Sequence, residues 1–371
     1  MNKYGIALGG GGTKGAYHIG VWKALLELNI DICAITGCSI GSVNGAMFAQ
    51  GDFDKALEVW QNIGKDNIVE VSGDVGDNLL DIKSLSLLIS DIYKNNGLET
   101  KPFRKLLDSV IDEEKIRNSD IDFGLVTFDL AEKEELAVFK DDIPNGKLVD
   151  YIMASASLPG LKKTVIDEKE YLDGGITNNI PADMLLSKGI KNIIAVDVGG
   201  FGIIKGIAPK GVNIINIKSS DKIVGMLDFN SENIEKMIRA GYIDCLKVFG
   251  RIEGKIYAFN ISDYHKSRQK YSAKIIEGIE YAAQVFGVDK YKIYKFDDLV
   301  EGIIETYYEL SDKNKAVVDG LKVDEKQLLV KFTKYILGES VDDGAIKLFS
   351  GIIGDISNAA NSIAYFLTIN K

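Results

Sequence analysis

The sequence predicts an α/β fold in which a mostly parallel central sheet lies between two helical layers, a three-layer α/β/α sandwich followed by a helical C-terminal region. Short apolar runs alternate with stretches of helical periodicity over residues 1–263. Strands that alternate with helices form parallel sheets covered on both faces. Beyond residue 263 the strand pattern fades, and residues 264–371 carry mainly helical periodicity. We therefore expect two domains, 1–263 and 264–371.

The first fifty residues contain two strand-turn-helix units. Tyr4–Leu8 is a short apolar run that ends at Gly9, and a helical pattern follows it. Ile32–Thr36 predicts a second buried strand, which ends at Gly37 and is followed by a helix over Ile40–Ala49. In both units glycine separates a strand pattern from a helix pattern, which is typical of a turn.

The same alternation continues along the chain. Further strands are predicted at Phe123–Phe128, Leu136–Phe139, Ile193–Val198, Val212–Ile217 and Ile256–Ile261. Helices are predicted at Lys83–Tyr93, Pro102–Val110, Leu148–Ser155 and Ser231–Phe249. A C-terminal helix carries an apolar face, which we expect to pack against the first domain or a second subunit; its residues are Ile346, Phe349, Ile352, Ile353, Ile356, Ala360, Ile363 and Phe366.

Composition and charge disfavour several classes of function. The 371 residues include 44 basic and 54 acidic side chains, and the net charge of -10 disfavours nucleic acid as a partner. Three cysteines without CxxC spacing and two distant histidines disfavour a disulfide framework and a metal site. No apolar run reaches the roughly 18 residues of a membrane span, and the N-terminal segment lacks a signal-peptide pattern. We expect a cytoplasmic protein.

A glycine-rich turn, Gly9–Gly15, joins the first strand to the first helix, and we call it the glycine loop. Consecutive glycines expose backbone N–H groups at a helix N-terminus, which favours negative charge. One interpretation is dinucleotide binding, because Gly10, Gly12 and Gly15 satisfy GxGxxG. That motif also requires an acidic residue at the end of the second strand, whereas this strand runs into residues 36–39, Thr-Gly-Cys-Ser. A turn required only for close helix packing is the other alternative.

A GxSxG motif, Gly37-Cys38-Ser39-Ile40-Gly41, lies where the second strand meets its helix. In that setting the sharp turn requires small flanking residues and presents the serine hydroxyl at a helix N-terminus. The motif therefore favours Ser39 as a nucleophile over an ordinary N-cap serine. We interpret Cys38 as a small buried residue.

A serine nucleophile needs a base, and the histidines His18 and His265 are poorly placed for one. His18 follows the glycine turn as a packed or capping side chain, which leaves His265 for a triad. The segment Tyr171–Gly175 offers Asp173 instead. An isolated Asp-Gly-Gly is as readily a turn, but a carboxylate beside Ser39 in a dry site could take the serine proton directly.

The ordered set GGGTKG, GCSIG and DGG, with Ala154–Pro159 upstream of the third, resembles the patatin-like phospholipase family over Tyr4 to Val198. The resemblance implies the patatin-like form of the α/β fold and hydrolysis of lipid acyl esters by a Ser-Asp dyad. We expect no cofactor and no metal, because no cluster of residues has the spacing of metal ligands. It implies that Ser39 is the nucleophile and Asp173 the base. The residues implied for the oxyanion hole are Gly10, Gly11 and Gly12.

Other residues of these motifs are expected to support the site: Lys14, Gly15, Gly37, Gly41, Gly174 and Gly175. Lys14 either orients the loop and offsets local negative charge, or is simply exposed to solvent. The expected partners are a phospholipid or another acyl lipid and, transiently, the membrane surface. We therefore expect a cytoplasmic protein that can also bind peripherally to a membrane. The alternative is a non-catalytic lipid- or nucleotide-binding module that uses the glycine loop as an anion site.

Overall fold

The computed structural model describes residues 3–70, 76–77, 97–206, 210–219, 225–312, 318–319, 322–339 and 354–369. The chain divides into two compact units, Met1–Val248 and Phe249–Lys371. The boundary between the two units, at Val248, lies earlier in the chain than the boundary at residue 263 that the sequence predicts. The difference arises because the strand expected at Ile256–Ile261 is a short one, Ala258–Asn260, that pairs with strands of the second unit and not with the large sheet.

The first unit is built on an eight-stranded sheet. Its strands are β1 (Tyr4–Leu8), β2 (Ile32–Cys38), β3 (Asp122–Asp129), β4 (Glu134–Phe139), β5 (Thr164–Ile166), β6 (Lys169–Asp173), β7 (Asn192–Asp197) and β8 (Asn213–Lys218). They follow the order β5-β6-β3-β2-β1-β7-β8, and β4 also pairs with β3. The β3-β2-β1-β7-β8 pairings are parallel, whereas β3–β4, β3–β6 and β5–β6 are antiparallel. The predicted α/β fold with a mostly parallel sheet is confirmed.

Helices of the first unit follow the strands in the expected alternation. They are α1 (Ala16–Glu27), α2 (Ile40–Ala49), α3 (Phe53–Asn62), α4 (Lys101–Val110), α5 (Glu113–Asn118), α6 (Leu148–Ser155), α7 (Ala182–Ser187) and α8 (Ser231–Val248). Short 3-10 turns occupy Gly12–Gly15, Lys65–Asn67 and Gly174–Ile176. The helix expected over Lys83–Tyr93 lies outside the described residues.

Helices cover both faces of the sheet. Successive strand residues point to opposite faces, so Ile35 and Ala34 of β2 mark the two sides. Gly45 of α2 lies against Ile35, and α1 packs against α2 and α8 on that side. Leu185 of α7 packs with Ala7 and Ala34 on the other side. Because both faces are covered, the central strands are apolar almost without interruption.

The second unit is mainly helical. Its helices are α9 (Ile261–Lys270), α10 (Ala273–Phe286), α11 (Phe296–Ser311), α12 (Glu325–Ile336) and α13 (Gly354–Ile369). Its short strands are β9 (Ile252–Glu253), β10 (Ala258–Asn260), β11 (Ile293–Tyr294), β12 (Val318–Asp319) and β13 (Lys322–Val323). Helix α13 buries Ile356, Ala360, Ile363 and Phe366 in the core of its own unit, against α10 and α12.

The expectation that the last helix packs against the first domain or a second subunit is therefore wrong for the described residues, because α10 and α12 already cover its apolar face. The part of that predicted stripe before Gly354 lies outside the described residues. Across the ranges that the structure describes, no helix combines the length and the apolar character needed to cross a membrane.

Candidate active site

Ser39 occupies the turn between β2 and α2 in a strained backbone conformation. Its φ is 54° and its ψ is -128°, a combination that is unfavourable for a residue with a side chain. The neighbouring backbone is close-packed: a Cβ at Gly37 would lie 2.2 Å from the Gly41 carbonyl oxygen, and one at Gly41 would lie 2.1 Å from that of Leu8. Strain of this kind clusters at functional sites.

The sharp turn is held by a second serine, Ser155, at the end of α6. The Ser39 backbone N–H donates to Ser155 Oγ at 3.0 Å, and the Ser155 hydroxyl donates to the Val126 carbonyl at 2.7 Å. An amide that leaves the sheet at a buried position would otherwise lack an acceptor, which costs about 1–3 kcal/mol. Sequence reasoning included Ser155 in the segment before the Asp-Gly-Gly motif but assigned it no role.

The register of three strands, β2, β3 and β6, places Asp173 next to the Ser39 turn. Strand β4 pairs with β3 from Gly124 to Asp129, so β2 and β6 must share the other edge of β3. On that edge Cys38 of β2 lies opposite Val126, and Asp173 of β6 lies opposite the next residue, Thr127. The end of β6 therefore fills the place beyond the end of β2, where the Ser39 turn begins.

The Asp173 carboxyl is buried, with 3% exposure. Its Oδ1 accepts from the Gly175 amide at 2.8 Å and from the Cys38 thiol at 3.7 Å. Among the described residues, Oδ2 has no aligned hydrogen-bond partner. Burial raises the pKa of Asp173 from 3.8 to about 6, while weaker hydrogen-bonding interactions with Ser39, Gly175 and Cys38 lower it. The carboxyl is thus largely ionised at neutral pH and is a stronger base than an exposed aspartate.

The DGG turn and the Cys38 side chain also have defined surroundings. A Cβ at Gly174 would lie 2.3 Å from the Val126 carbonyl oxygen, so only glycine lets this backbone pass so close to β3. The Asp173 N–H donates to the Ser157 carbonyl at 2.9 Å. Burial raises the pKa of the Cys38 thiol well above its usual value, and the nearby Asp173 carboxylate raises it further. Cys38 is therefore a protonated thiol at neutral pH.

The glycine loop packs directly on Ser39. A Cβ at Gly10 would lie 3.0 Å from Ser39 Cβ. The Gly10 amide already donates to Asn179, at 3.2 Å from both its main-chain oxygen and its Oδ1. Within the described residues, the amides of Gly11 and Gly12 have no protein acceptor. Of the three amides expected in the oxyanion hole, the Gly10 amide is therefore already paired, and the other two are not paired with any described protein group.

Asn179 holds the glycine loop in place. Besides accepting from the Gly10 amide, its Nδ2 donates to the Gly10 carbonyl at 3.3 Å, so one side chain binds both polar groups of that residue. Its own amide donates to the Ile203 carbonyl at 2.7 Å. Sequence reasoning did not identify this role, although the pair Asn178-Asn179 after the DGG motif was a visible signal.

Lys14 and Gly15 complete the loop. The Lys14 ammonium donates to the Gly199 carbonyl at 2.7 Å, so it links the loop to the segment after β7. This contact supports the interpretation in which Lys14 orients the loop. A Cβ at Gly15 would lie 2.6 Å from Ile40 Cγ1, which shows how closely the loop packs on the start of α2.

Among the described residues, neither histidine has a hydrogen bond to Ser39. His18 is buried, and burial lowers its pKa to about 3, so it is neutral. The Trp60 indole donates to Asn44 Oδ1, which directs the Asn44 amide group to His18 Nδ1 at 3.1 Å. His265 lies in the second unit, where its side chain is 60% exposed and hydrogen-bonds to Glu253.

The comparison with protein families assigns residues 6–186 of the first unit to a family. The family described as "Patatin-like phospholipase" matches residues 6–186, which contain the glycine loop, Ser39 and Asp173. This segment belongs to the patatin-like phospholipase family. Members of this family are lipid hydrolases, and the resemblance drawn from the three motifs is confirmed.

Several patatin-like relatives are similar over the same part of the chain. Patatin-like phospholipase domain-containing protein 6 of Mus musculus is 31% identical over 201 residues, which is 53% of this chain and 14% of the relative. Neuropathy target esterase sws of Drosophila melanogaster is 30% identical over 201 residues, or 53% of this chain and 13% of that protein. The matched part thus spans about a seventh of these relatives' length.

Among solved structures, VipD from Legionella pneumophila is also similar. The match covers 98% of this chain and 89% of VipD, with 13% identity and a TM-score of 0.40.

Proposed function

We propose that this chain is a lipid acyl hydrolase of the phospholipase or lysophospholipase type, with Ser39 as nucleophile and Asp173 as its base. The observation that carries the proposal is the strand register that brings a buried carboxyl with a pKa of about 6 beside a strained serine at a strand-to-helix turn. The family match supports lipid hydrolysis as the reaction class.

In the proposed first half-reaction, Ser39 Oγ forms a bond to the ester carbonyl carbon while its proton moves to Asp173. Oδ2 is the receiving atom, because Oδ1 already accepts from the Gly175 amide. The carbonyl oxygen becomes an oxyanion, which the Gly11 and Gly12 amides stabilise. When the intermediate collapses, the ester C–O bond breaks and Asp173 returns the proton to the leaving alcohol.

The second half-reaction reverses the roles. Asp173 removes a proton from water, which attacks the acyl carbon on Ser39. When this second intermediate collapses, the bond between Ser39 Oγ and the acyl carbon breaks and the fatty acid is released. Asp173 then gives its proton to Ser39 Oγ, which restores the hydroxyl. One preorganised oxyanion donor typically contributes about 3 kcal/mol of barrier lowering, so the two open amides together account for a large part of the expected rate enhancement.

Covalent labelling tests the nucleophile. The purified chain is treated with a fluorophosphonate probe, and hydrolysis of a short-chain ester is measured in parallel. We expect Ser39→Ala to abolish labelling and turnover, and Asp173→Asn to abolish turnover. The matched control is Ser109→Ala, because Ser109 is an exposed serine on α4 whose loss leaves the site intact. Labelling or turnover that survives in Ser39→Ala would refute the proposed nucleophile.

Two further outcomes separate the alternatives. His265→Ala abolishes turnover in a triad mechanism and leaves it unchanged in the proposed dyad. Tight binding of a dinucleotide without ester turnover would favour the non-catalytic module. That module has less support, because β2 ends at Cys38 and leads to Ser39, with no acidic residue there for a ribose.

A further inference from the structure

A short loop after β7, Gly199–Ile204, is tied to the loops that form the proposed site. We call this loop the strap. The Ile203 amide donates to the Gly175 carbonyl at 2.9 Å, and the Asn179 amide donates to the Ile203 carbonyl at 2.7 Å. Lys14 binds the first residue of the strap at its carbonyl. The strap therefore shares its hydrogen bonds with the glycine loop and with the DGG turn.

Glycines let the strap backbone lie against the site. A Cβ at Gly200 would lie 1.9 Å from the Gly10 carbonyl oxygen, so no side chain fits between the strap and the glycine loop. Gly202 has a φ of 139°, and a Cβ there would lie 2.3 Å from the Gly175 carbonyl oxygen. The strap backbone therefore lies directly against the glycine loop and the DGG turn. The larger side chains of the strap are exposed to solvent.

Those larger side chains are apolar and exposed. Phe201 is 84% exposed, Ile203 57% and Ile204 52%. Over the residues that the structure describes, no other run of four contains three exposed large apolar side chains. Single exposed apolar residues are ordinary, but a contiguous group beside a site marks an interaction surface.

The charge around the strap fits a lipid surface. The whole chain has a net charge of -10, whereas residues 197–218 contain three lysines, Lys205, Lys210 and Lys218, and one acidic residue, Asp197. Lys205 pairs with Glu135 and Asp183, and Lys218 pairs with Asp197, so the charges of these two lysines are balanced within the unit. Lys14 donates to a carbonyl rather than a carboxylate and carries its positive charge at the base of the strap.

We propose that the strap docks the protein on a lipid surface, with Phe201, Ile203 and Ile204 inserted at the boundary between headgroups and acyl chains. This inference rests on the proposed function, because a lipid hydrolase must bring an ester from an aggregate to Ser39. Aromatic and branched aliphatic side chains partition into that boundary, with a strength that follows the apolar area buried. Since hydrogen bonds already hold the strap, docking requires little further ordering of its backbone.

Vesicle binding tests docking without catalysis. The full chain carrying Ser39→Ala is sedimented with phosphatidylcholine vesicles, so the lipid stays intact. Adding Phe201→Ser is expected to weaken partition about tenfold, and adding Ile203→Ser as well about a hundredfold. Leu26→Ser is the matched control: Leu26 is 52% exposed, as Ile204 is, but it lies at the end of α1, which leads into the start of β2, whereas the strap follows the end of the parallel strand β7. It should bind like the parent.

The remaining outcomes distinguish apolar docking from electrostatic attachment. Partition that is equal in the parent and in both strap variants would overturn the proposal. Binding that requires anionic lipid and disappears in 1 M salt would also overturn it, because lysines would then be the docking groups. Binding that depends on the strap, together with no ester turnover by the chain in which Ser39 is intact, would support docking and refute the proposed hydrolysis.

Turnover measurements extend the test to the active chain. With Ser39 intact, the ratio of vesicle hydrolysis to short-chain ester hydrolysis should fall about tenfold in Phe201→Ser. An unchanged ratio would contradict the role of the strap in substrate delivery, whatever the absolute rates. Circular dichroism of each variant confirms that the fold is retained.

Discussion

Replacing Asp173 by asparagine is expected to stabilise the first unit while it abolishes turnover. Asparagine keeps the size of the side chain, and its oxygen can still accept from the Gly175 amide in place of Oδ1. Its amide group takes the position of Oδ2, which has no aligned partner among the described residues. The substitution thus removes a buried negative charge and preserves the main hydrogen bond.

The size of the effect follows from the pKa of Asp173. Burial raises that pKa from 3.8 to about 6, so the folded state binds the proton more tightly than the unfolded state does. The stability contributed by this proton is fully present below pH 3.8 and is lost as the pH rises through 6. At about 1.4 kcal/mol for each unit, ionised Asp173 lowers the free energy of unfolding by about 3 kcal/mol at pH 8, and by less than about 1 kcal/mol at pH 4.

Urea denaturation followed by tryptophan fluorescence measures this difference. Both tryptophans of the chain, Trp22 and Trp60, lie in the first unit, so the signal reports its unfolding. We expect Asp173→Asn to exceed the parent by about 3 kcal/mol at pH 8, with the gain shrinking toward pH 4. Asp141→Asn, at an exposed position after β4, is the control. A gain that is the same at both pH values would refute the assignment of a buried, ionised Asp173.

The same ionisation sets the pH dependence of catalysis. As the proposed base, Asp173 must be unprotonated, so kcat/KM for a short-chain ester should rise with pH and level off above an inflection near 6. An inflection near 4 would contradict the effect of burial on this carboxyl.

Three further variants test the geometry around Ser39. Ser39→Gly should be about 1 kcal/mol more stable than Ser39→Ala in urea denaturation, because glycine relieves the strain at a φ of 54°; equal stability would contradict that strain. Asn179→Ala should lower kcat about tenfold to a hundredfold with little change in KM, since it frees Gly10 and lets the neighbouring amides shift; a change confined to KM would contradict a positioning role. Gly12→Ala should lower the unfolding free energy by more than about 2 kcal/mol, because its Cβ would meet the Met226 carbonyl oxygen at 2.0 Å; retained stability would contradict that contact.

The local elements could be predicted from the sequence because their signals lie within a few residues. Strand β1, the helix over Ile40–Ala49 and the helix over Leu148–Ser155 lie where the periodicity placed them. The glycine turn and the GxSxG turn were visible because backbone that bends sharply or packs closely requires small residues. Strands β5 and β6 were missed, since β5 has only three residues and β6, Lys-Glu-Tyr-Leu-Asp, lacks the apolar run that marks the equally short β1.

The sequence by itself determined the fold class, the turns that carry the candidate residues and the family of residues 6–186. Only the tertiary structure decided how these turns meet, because the register of β2 and β6 on one edge of β3 joins residues far apart in the chain. It also decided that the Gly10 amide is held by Asn179, whereas the Gly11 and Gly12 amides have no acceptor among the described residues. Hydrogen-bond partners and burial depend on these long-range contacts, and they determine which groups at the site are free to act.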